Sequence, residues 1–577
     1  MTYSIRILAA LTMVGALAGV SPAAGQESAD RQRFDELART AAQQFAAARA
    51  EADQTRPTVP PPDAGSVVEL TLDGALERAI ERNLDIAVER LNPQMFDFSI
   101  AGLEANYRPT FTSNFGLRNQ TAFARSQTAG GDVLNTETVT SNSGLAQNVK
   151  WGGGSFALSF NNNRQAQSDA FAIRNPAINS NFTASYVQPL LRNFRIDGTR
   201  AQLETTHINQ EISETTLRAT ITRTLVSVRN AYWDLVYAIQ AAEVAERSLA
   251  LASKLVEDNR ARVEVGTLAP LDVVQAEAEE ANRRQTVAQT AAARRTAELT
   301  LKRLIVDGTD DPLWVASIEP VDRPTFSTSP LDVESAVRLA LSNRTDLETA
   351  RRQLQSNEIS LRSLTNQQLP SLDLTASYGL AGIGGPQFFR QGLGGQITRI
   401  EPGGYSDALR LLLDRDAPTW NLQLNLSYPI GTSPAQANVA RARLQQRQTI
   451  AQTRALELQI ATEVTNAALQ IEATRERLQA ASAALALAER RLEAEQSRFD
   501  VGLSTNFFVV QAQRDLRDAQ NAELRVLLDY RRAQVDFERV QEIPAGGGGG
   551  ISNIQAGGGQ APRANPGGGG GGFGGGF

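Results

Sequence analysis

The sequence predicts an α+β chain that runs one structural plan twice, each time as helix, strand region, long helix, tight turn and returning helix. Three observations carry this reading. RVEVGTLAPLDVVQA at Arg262–Ala276 returns as RFDVGLSTNFFVVQA at Arg498–Ala512, and the offset, 498 − 262 = 236, also relates Val228-Arg-Asn-Ala231 to Val464-Thr-Asn-Ala467. Several short segments alternate apolar and polar residues with period two, the pattern of strands with one apolar face. Long stretches between them carry apolar residues at 4-3-4-3 spacing, the seam of a coiled coil.

The elements follow in chain order. Arg6, an apolar run from Ile7 to Val20 and small residues at Ala23, Ala24 and Gly25 make residues 1–25 a secretory signal peptide. The run is about 14 residues, short of the roughly 20 that cross a bilayer as a helix. Residues 26–69 suggest a helix over about 30–52 and a Pro-rich linker, TVPPPD. The first repeat, 70–307, opens with the amphipathic LTLDGALERAIERNLDI, which pairs at an offset of 261 with LDVESAVRLALSNRTDL in the second repeat, 331–541. Pro109 and Pro370 keep that offset. One helix is expected from Leu72 to Tyr107. Strand alternation follows at Phe111–Leu117, Phe156–Phe160 and Phe182–Tyr186, and in the second repeat at Leu372–Leu380 and Trp420–Tyr428.

The long helix from about Arg200 to Val263 would extend roughly 95 Å, and its return from Pro270 to Ile305 roughly 55 Å. With a helix of similar length at Leu72–Tyr107, two short helices placed end to end match the long one. Its seam runs through Ile221, Leu225, Val228, Tyr232, Leu235, Ile239 and Ala242. The second copy keeps Ile460, Val464, Ala467 and Ile471, but Arg475 stands where continuation is expected, a weaker signal. A connector, 308–330, joins the repeats, and the Gly-rich 542–577 cannot bury a core and is expected to be disordered.

Composition narrows the function. The charge is even, 57 basic against 63 acidic residues, so there is no nucleic-acid footprint. Cysteine is absent and His207 is the one histidine, so thiolate chemistry and His/Cys metal sites are excluded and no cofactor is expected. No nucleophile elbow, zinc-protease helix or phosphate loop is present, which argues against an enzyme. Alternation alone fits a soluble sandwich, with the apolar face as core, and a membrane barrel, with that face toward lipid. One chain has too few strands to close a barrel, and open edges are not tolerated in lipid, so closure needs several chains.

The signal peptide, the doubled plan, the strands within Pro109–Pro189 and Pro370–Pro429, and the Val-Gly turn ending each long helix together resemble the TolC family of outer-membrane efflux proteins. The resemblance covers about Leu70 to Gln541. It implies a homotrimer whose pooled strands form one barrel in outer-membrane lipid, continuous with an α-helical barrel in the periplasm. It further implies the exit duct of a tripartite efflux or type I secretion system, working with a periplasmic adaptor and an inner-membrane transporter. The two turns become the adaptor-docking tips: Arg262, Val265, Gly266 and Thr267 in the first, Arg498, Val501, Gly502 and Leu503 in the second.

Gly266 and Gly502 suit the positive φ at which a helix reverses. Pro270 suits the next first turn, and Ser504 or Thr505 could cap its counterpart. Family members often carry acidic residues at the tunnel mouth. This chain keeps Asp272 but has Phe508 and Gln511 in the second tip, so an aromatic constriction competes with packing of Phe507 and Phe508 in the coiled coil. The segment after Trp151-Gly-Gly-Gly154 has no counterpart and is expected as an extracellular excursion rather than a barrel hairpin. A periplasmic coiled-coil scaffold without a pore is the alternative to the duct; it explains the heptads but not the matched strand alternation.

Overall fold

The computed structural model describes residues 67–123, 132–169, 171–323, 331–392, 395–431 and 433–544. The expected signal peptide, the helix near 30–52 with its linker, and the Gly-rich tail past Pro544 lie outside the described residues. Two units are distinguished. The smaller, residues 67–68 and 310–319, holds a short helix, Pro312–Val315, and most of a strand, Ser317–Pro320, which pairs with Val67–Leu70. Those strands are β6 and β1, and the helix is α6, in the numbering used below.

The larger unit opens with Leu72–Arg82 (α1), Leu84–Glu89 (α2) and Leu91–Ala105 (α3), where one continuous helix was expected. Asn83 makes the first break. Its backbone is extended (φ −67°, ψ 125°), ending α1, while its side-chain oxygen accepts from the N–H groups of Asp85 and Ile86 and so caps α2. In the other half, Val333–Asn343 (α7) and Thr345–Gln367 (α8) break in the same way at Arg344 (φ −62°, ψ 125°). The two break residues lie at the 261 offset and do the same work. Asn83 Nδ2 donates to the Leu304 carbonyl at 2.9 Å, and Arg344 Nη1 to the Val540 carbonyl at 3.2 Å. Arg344 is buried and also pairs with Asp346 (2.7 Å) and Glu463 (2.6 Å).

Two long helices, Gly198–Glu264 (α4) and Pro434–Asp500 (α10), have 67 residues each, and Pro270–Ile305 (α5) and Asn506–Arg539 (α11) return beside them. The seam of α4 is buried at Val228, Tyr232, Leu235 and Ala242. On α10 it runs through Ile460, Val464, Ala467 and Ile471 and then steps to Thr474 and Leu478, not to Arg475. The 4-3-4-3 spacing is therefore unbroken, with a threonine at one position whose hydroxyl bonds the Gln470 carbonyl. Near the sheet the helices neighbour one another in the order α3, α4, α8, α10; toward the turns the order is α5, α4, α11, α10.

The strands form one six-stranded antiparallel sheet in the order β10-β7-β5-β4-β3-β2. Its members are Thr110–Phe123 (β2), Val133–Asn148 (β3), Ser155–Gln167 (β4), Ala177–Pro189 (β5), Ser371–Gly384 (β7) and Pro418–Ser427 (β10). The segment after Trp151 is thus a full strand and not an excursion. The turn at Trp151–Gly154 lies at the helical end of the sheet, where the Gly152 carbonyl accepts from Gln188 Nε2 and a Cβ on Gly153 would strike the Asn193 carbonyl. Between β7 and β10 come Gln387–Arg390 (β8), Ile397–Glu401 (β9) and a helix, Tyr405–Asp414 (α9).

Register aligns the alternation into two faces. Trp420 faces Tyr378, Leu424 faces Leu374, Phe182 faces Leu380 and Phe111 faces Leu145, while the opposite face carries Ser, Thr, Asn and Gln. The apolar band crosses the hydrogen-bond rows obliquely. Its midpoint on β2 is Asn114, whose successive partners are Asn142, Asn161, Asn181 and Ala381; its midpoint on β7 is Ala376, five residues short of Ala381 after four strand-to-strand steps. With about 3.3 Å per residue and about 4.8 Å between strands, that slope is a strand tilt of about 40°.

Candidate tip and mouth

Each long helix ends in the same hydrogen-bonded motif. After α4, Gly266 N–H bonds the Val263 carbonyl (3.0 Å) and Thr267 N–H the Arg262 carbonyl (2.9 Å); after α10, Gly502 N–H bonds Phe499 (3.1 Å) and Leu503 N–H bonds Arg498 (2.8 Å). These are the paired bonds of a Schellman motif, which satisfy carbonyls the helix leaves free and require a left-handed residue at C′. Gly266 (φ +79°) and Gly502 (φ +78°) supply it. A Cβ at either would meet nothing within 4 Å, so the requirement for glycine is conformational and not steric crowding.

Beyond the glycines the tips differ. Pro270 occupies the first turn of α5 as expected, but Thr505, at the N-cap of α11, makes no side-chain cap bond, and Ser504 donates to Glu495 instead (2.8 Å). Val265, Val501 and Leu503 project into solvent at 74%, 69% and 81% exposure, making the turns' outer surface apolar. The two matched arginines have different surroundings. Arg498 is exposed and pairs along its own helix with Glu495, whereas Arg262 reaches across to the other hairpin. There it donates to the Phe499 carbonyl (3.2 Å) and to Asp500 (3.0 Å), its guanidinium 4.3 Å from the Phe499 ring centre.

Further links hold the hairpins together, and sequence reasoning missed them. Asn259 and Asn506, both buried, share a hydrogen bond of 3.0 Å, and Asn506 also donates to the Asp272 carbonyl (3.3 Å). Leu255, Phe499 and Val509 pack into an apolar cluster beside them. Higher up, buried Glu279 on α5 accepts from Arg514 on α11 (2.5 Å) and pairs with buried Arg283. Burial alone would raise the Glu279 pKa, but the hydrogen bond from Arg514 and the charges of Arg283 and Arg514 outweigh it and hold the carboxyl below its ordinary value. The only sequence signal for these links was polar residues within otherwise apolar helix faces.

Of the mouth residues, Asp272 lies partly exposed in the first turn of α5, where a carboxylate suits the helix N-terminus. Phe508 and Phe507 are both exposed, at 51% and 61%, and meet edge to face at 5.6 Å rather than filling a seam of this chain. Gln511 donates to Asp515 (2.8 Å), which also accepts from Arg491 (2.7 Å). The second tip therefore carries an acidic residue, two turns deeper than Phe508, the position matching Asp272.

The outer membrane efflux protein family model matches residues 155–305 and 336–540. No curated protein sequence matches this chain. Among solved structures, the fold is similar to the Campylobacter jejuni CmeC outer membrane channel at 15% identity and a TM-score of 0.58, over 82% of this chain and 85% of that one. The open-state MtrE channel of Neisseria gonorrhoeae (19%, 0.55, 82% and 88%) and Vibrio cholerae VceC (16%, 0.56, 82% and 96%) are similar also. The family match spans most of the chain and both of its long helices, and the chain belongs to the outer membrane efflux protein family.

Proposed function

We propose that three copies of this chain join head to tail into one duct, a β-barrel in the outer membrane continuous with a helical tunnel in the periplasm, each copy contributing two structural repeats. The observation that carries this reading is that sheet and helices end on the same two sides. The sheet's open edges are β2 and β10; α3 runs into β2, and β10 runs into α10, the two outer members of the helical order near the sheet. The helical edges also carry uncovered seams. Leu84, Val88, Leu91, Met95 and Phe98 keep 4-3-4-3 spacing and are more than half exposed, as are Leu444, Leu458 and Leu469 on α10. One edge is a template for the other, which is the geometry of a closed ring.

Six strands from each of three chains make eighteen, a size that leaves an aqueous channel, and the tilt of about 40° lies in the range closure requires. The apolar run on β7, Leu372 to Leu380, then spans about 20 Å along the membrane normal, close to the band of a transmembrane barrel. The polar face lines the lumen. Family membership favours this duct over a pore-less scaffold and over an enzyme.

At the far end, Val265, Gly266, Thr267, Val501, Gly502 and Leu503 are the surface for a periplasmic adaptor, which couples the duct to an inner-membrane transporter. Arg498 belongs to that surface, while Arg262 acts as a strap between hairpins. Phe508 with Asp272 and Gln511 forms the constriction. Membranes washed with high salt test the reading: the protein stays bound, and detergent releases a particle of three chains. Release by salt as a single soluble chain would overturn it.

A further inference from the structure

Helix α9 sits on the sheet's apolar face. Gly382 and Gly384 share that face with Leu372–Leu380, because no register shift interrupts β7 against β5. A Cβ on Gly382 would lie 1.9 Å from the Ala408 carbonyl oxygen, and one on Gly384 2.1 Å from that of Gly404. The helix backbone therefore rests directly on the strand, with Ala408 and Leu412 buried beneath it. The face changes character at the same height. The row Phe160, Phe182, Leu380 gives way to Asn162, Ser180, Gly382, where Ser180 is fully buried and Asn162 accepts from the Tyr405 hydroxyl at 3.0 Å.

The rest of α9 is amphipathic about a second axis. With Ala408 and Leu412 against the sheet, helical spacing places Leu409 and Leu413 together on one flank, and on the other Leu411 next to the sheet with Asp407, Arg410 and Asp414 outward of it. Leu413 is 75% exposed, with little cover from the described residues. Arg410 pairs with Asp414 (3.7 Å), and Asp407 leaves the charged flank with one net negative charge.

We propose that α9 is a collar at the membrane interface, lying on the lipid side of the barrel wall with Leu409 and Leu413 in the hydrocarbon border of the outer leaflet and Asp407, Arg410 and Asp414 in water. The inference rests on the barrel reading above, in which the apolar face meets lipid. Its occupant follows from continuity: the helix begins one row past Leu380, about 7 Å along the strand, so its apolar flank prolongs the same band. A short helix with one apolar and one charged flank takes this position at a bilayer surface. The contact is hydrocarbon and not attraction of phosphate, because Asp407, Arg410 and Asp414 sum to one negative charge, which phosphate would repel.

The absence of cysteine makes the test direct. Leu413→Cys, Asp414→Cys and Leu424→Cys are each spin-labelled in the full-length protein reconstituted in phosphatidylcholine vesicles, and collision with oxygen is compared with collision with a water-soluble nickel complex. The oxygen-to-nickel ratio should be about threefold or more higher at 413 than at 414, and higher still at 424. A water-like ratio at 413 with a lipid-like ratio at 424 overturns the collar and leaves the barrel standing. Water-like ratios at both overturn the lipid-facing wall, and the collar with it.

Discussion

Gly266 and Gly502 show how a single residue sets the duct's end. Both close a Schellman motif at positive φ with open space around them, so a substitution costs only backbone strain, about 1–2 kcal/mol for a β-branched residue. Gly266→Val with Gly502→Val should leave extraction as a trimer unchanged while adaptor crosslinking at the turns falls; intact crosslinking and transport would mean that docking lies elsewhere. The mouth gives a second residue-level expectation. Phe508→Ala should raise resting conductance in planar bilayers, because three exposed aromatic pairs can exclude water, whereas Asp272→Asn should mainly alter ion preference. The reverse pattern would assign closure to charge. Both glycines were legible from the duplicated Val-Gly. Arg262 was not: it holds the same place before its Val-Gly as Arg498, and what sets it apart is that Phe499 and Asp500 arrive from the other hairpin.

Among the elements, the link between α5 and α11 makes a pH prediction. The Glu279 carboxyl has its pKa depressed in the folded protein, so its contribution is fully present above the ordinary glutamate value, about 4.3, and is lost as pH falls through the lower folded value. Arg283 and Arg514 beside it are guanidinium groups that stay charged throughout. Protection of the α11 amides, their exchange rate referred to that of an unfolded chain at the same pH, should be constant from neutrality to about 5 and fall only in stronger acid. Glu279→Gln should remove that acid step; an acid step that persists in the variant would place its origin elsewhere. At the helix break, Arg344→Ala removes the buried guanidinium that Asp346 and Glu463 share and should cost about 3–5 kcal/mol, seen as a lower melting temperature of the detergent-solubilised protein. An unchanged melt would mean that the buried arginine contributes nothing net.

The elements also show where sequence patterning carries information and where it stops. Trp420–Ser427 and Leu372–Leu380 were readable because large apolar residues alternate strictly with polar ones. β3 was missed since Thr, Ser and Asn occupy both of its faces, leaving register with β2 and β4 to define it. The break at Asn83 was hidden by helix-compatible residues on both sides, although an Asn two residues before Asp85 is itself a cap signal. α9 escaped because a ten-residue helix in a loop announces itself only by what it packs on, here two glycines distant in sequence.

Across the whole molecule, the account claims that one chain is an open third of a closed wall. Its sheet ends at β2 and β10 and its upper helical order at α3 and α10, and covalent continuity ties each strand edge to its helix edge. The trimer was an implication of family resemblance in the sequence; the number of strands was not, because it depends on whether the segment after Trp151 joins the sheet. Electron microscopy of the detergent-extracted particle, at a resolution that separates strands, tests this most directly. The account predicts three chains and eighteen strands, with β10 of each chain hydrogen-bonded to β2 of the next. A wall in which β4 lies outside the barrel, or a sheet that closes within a single chain, would contradict it.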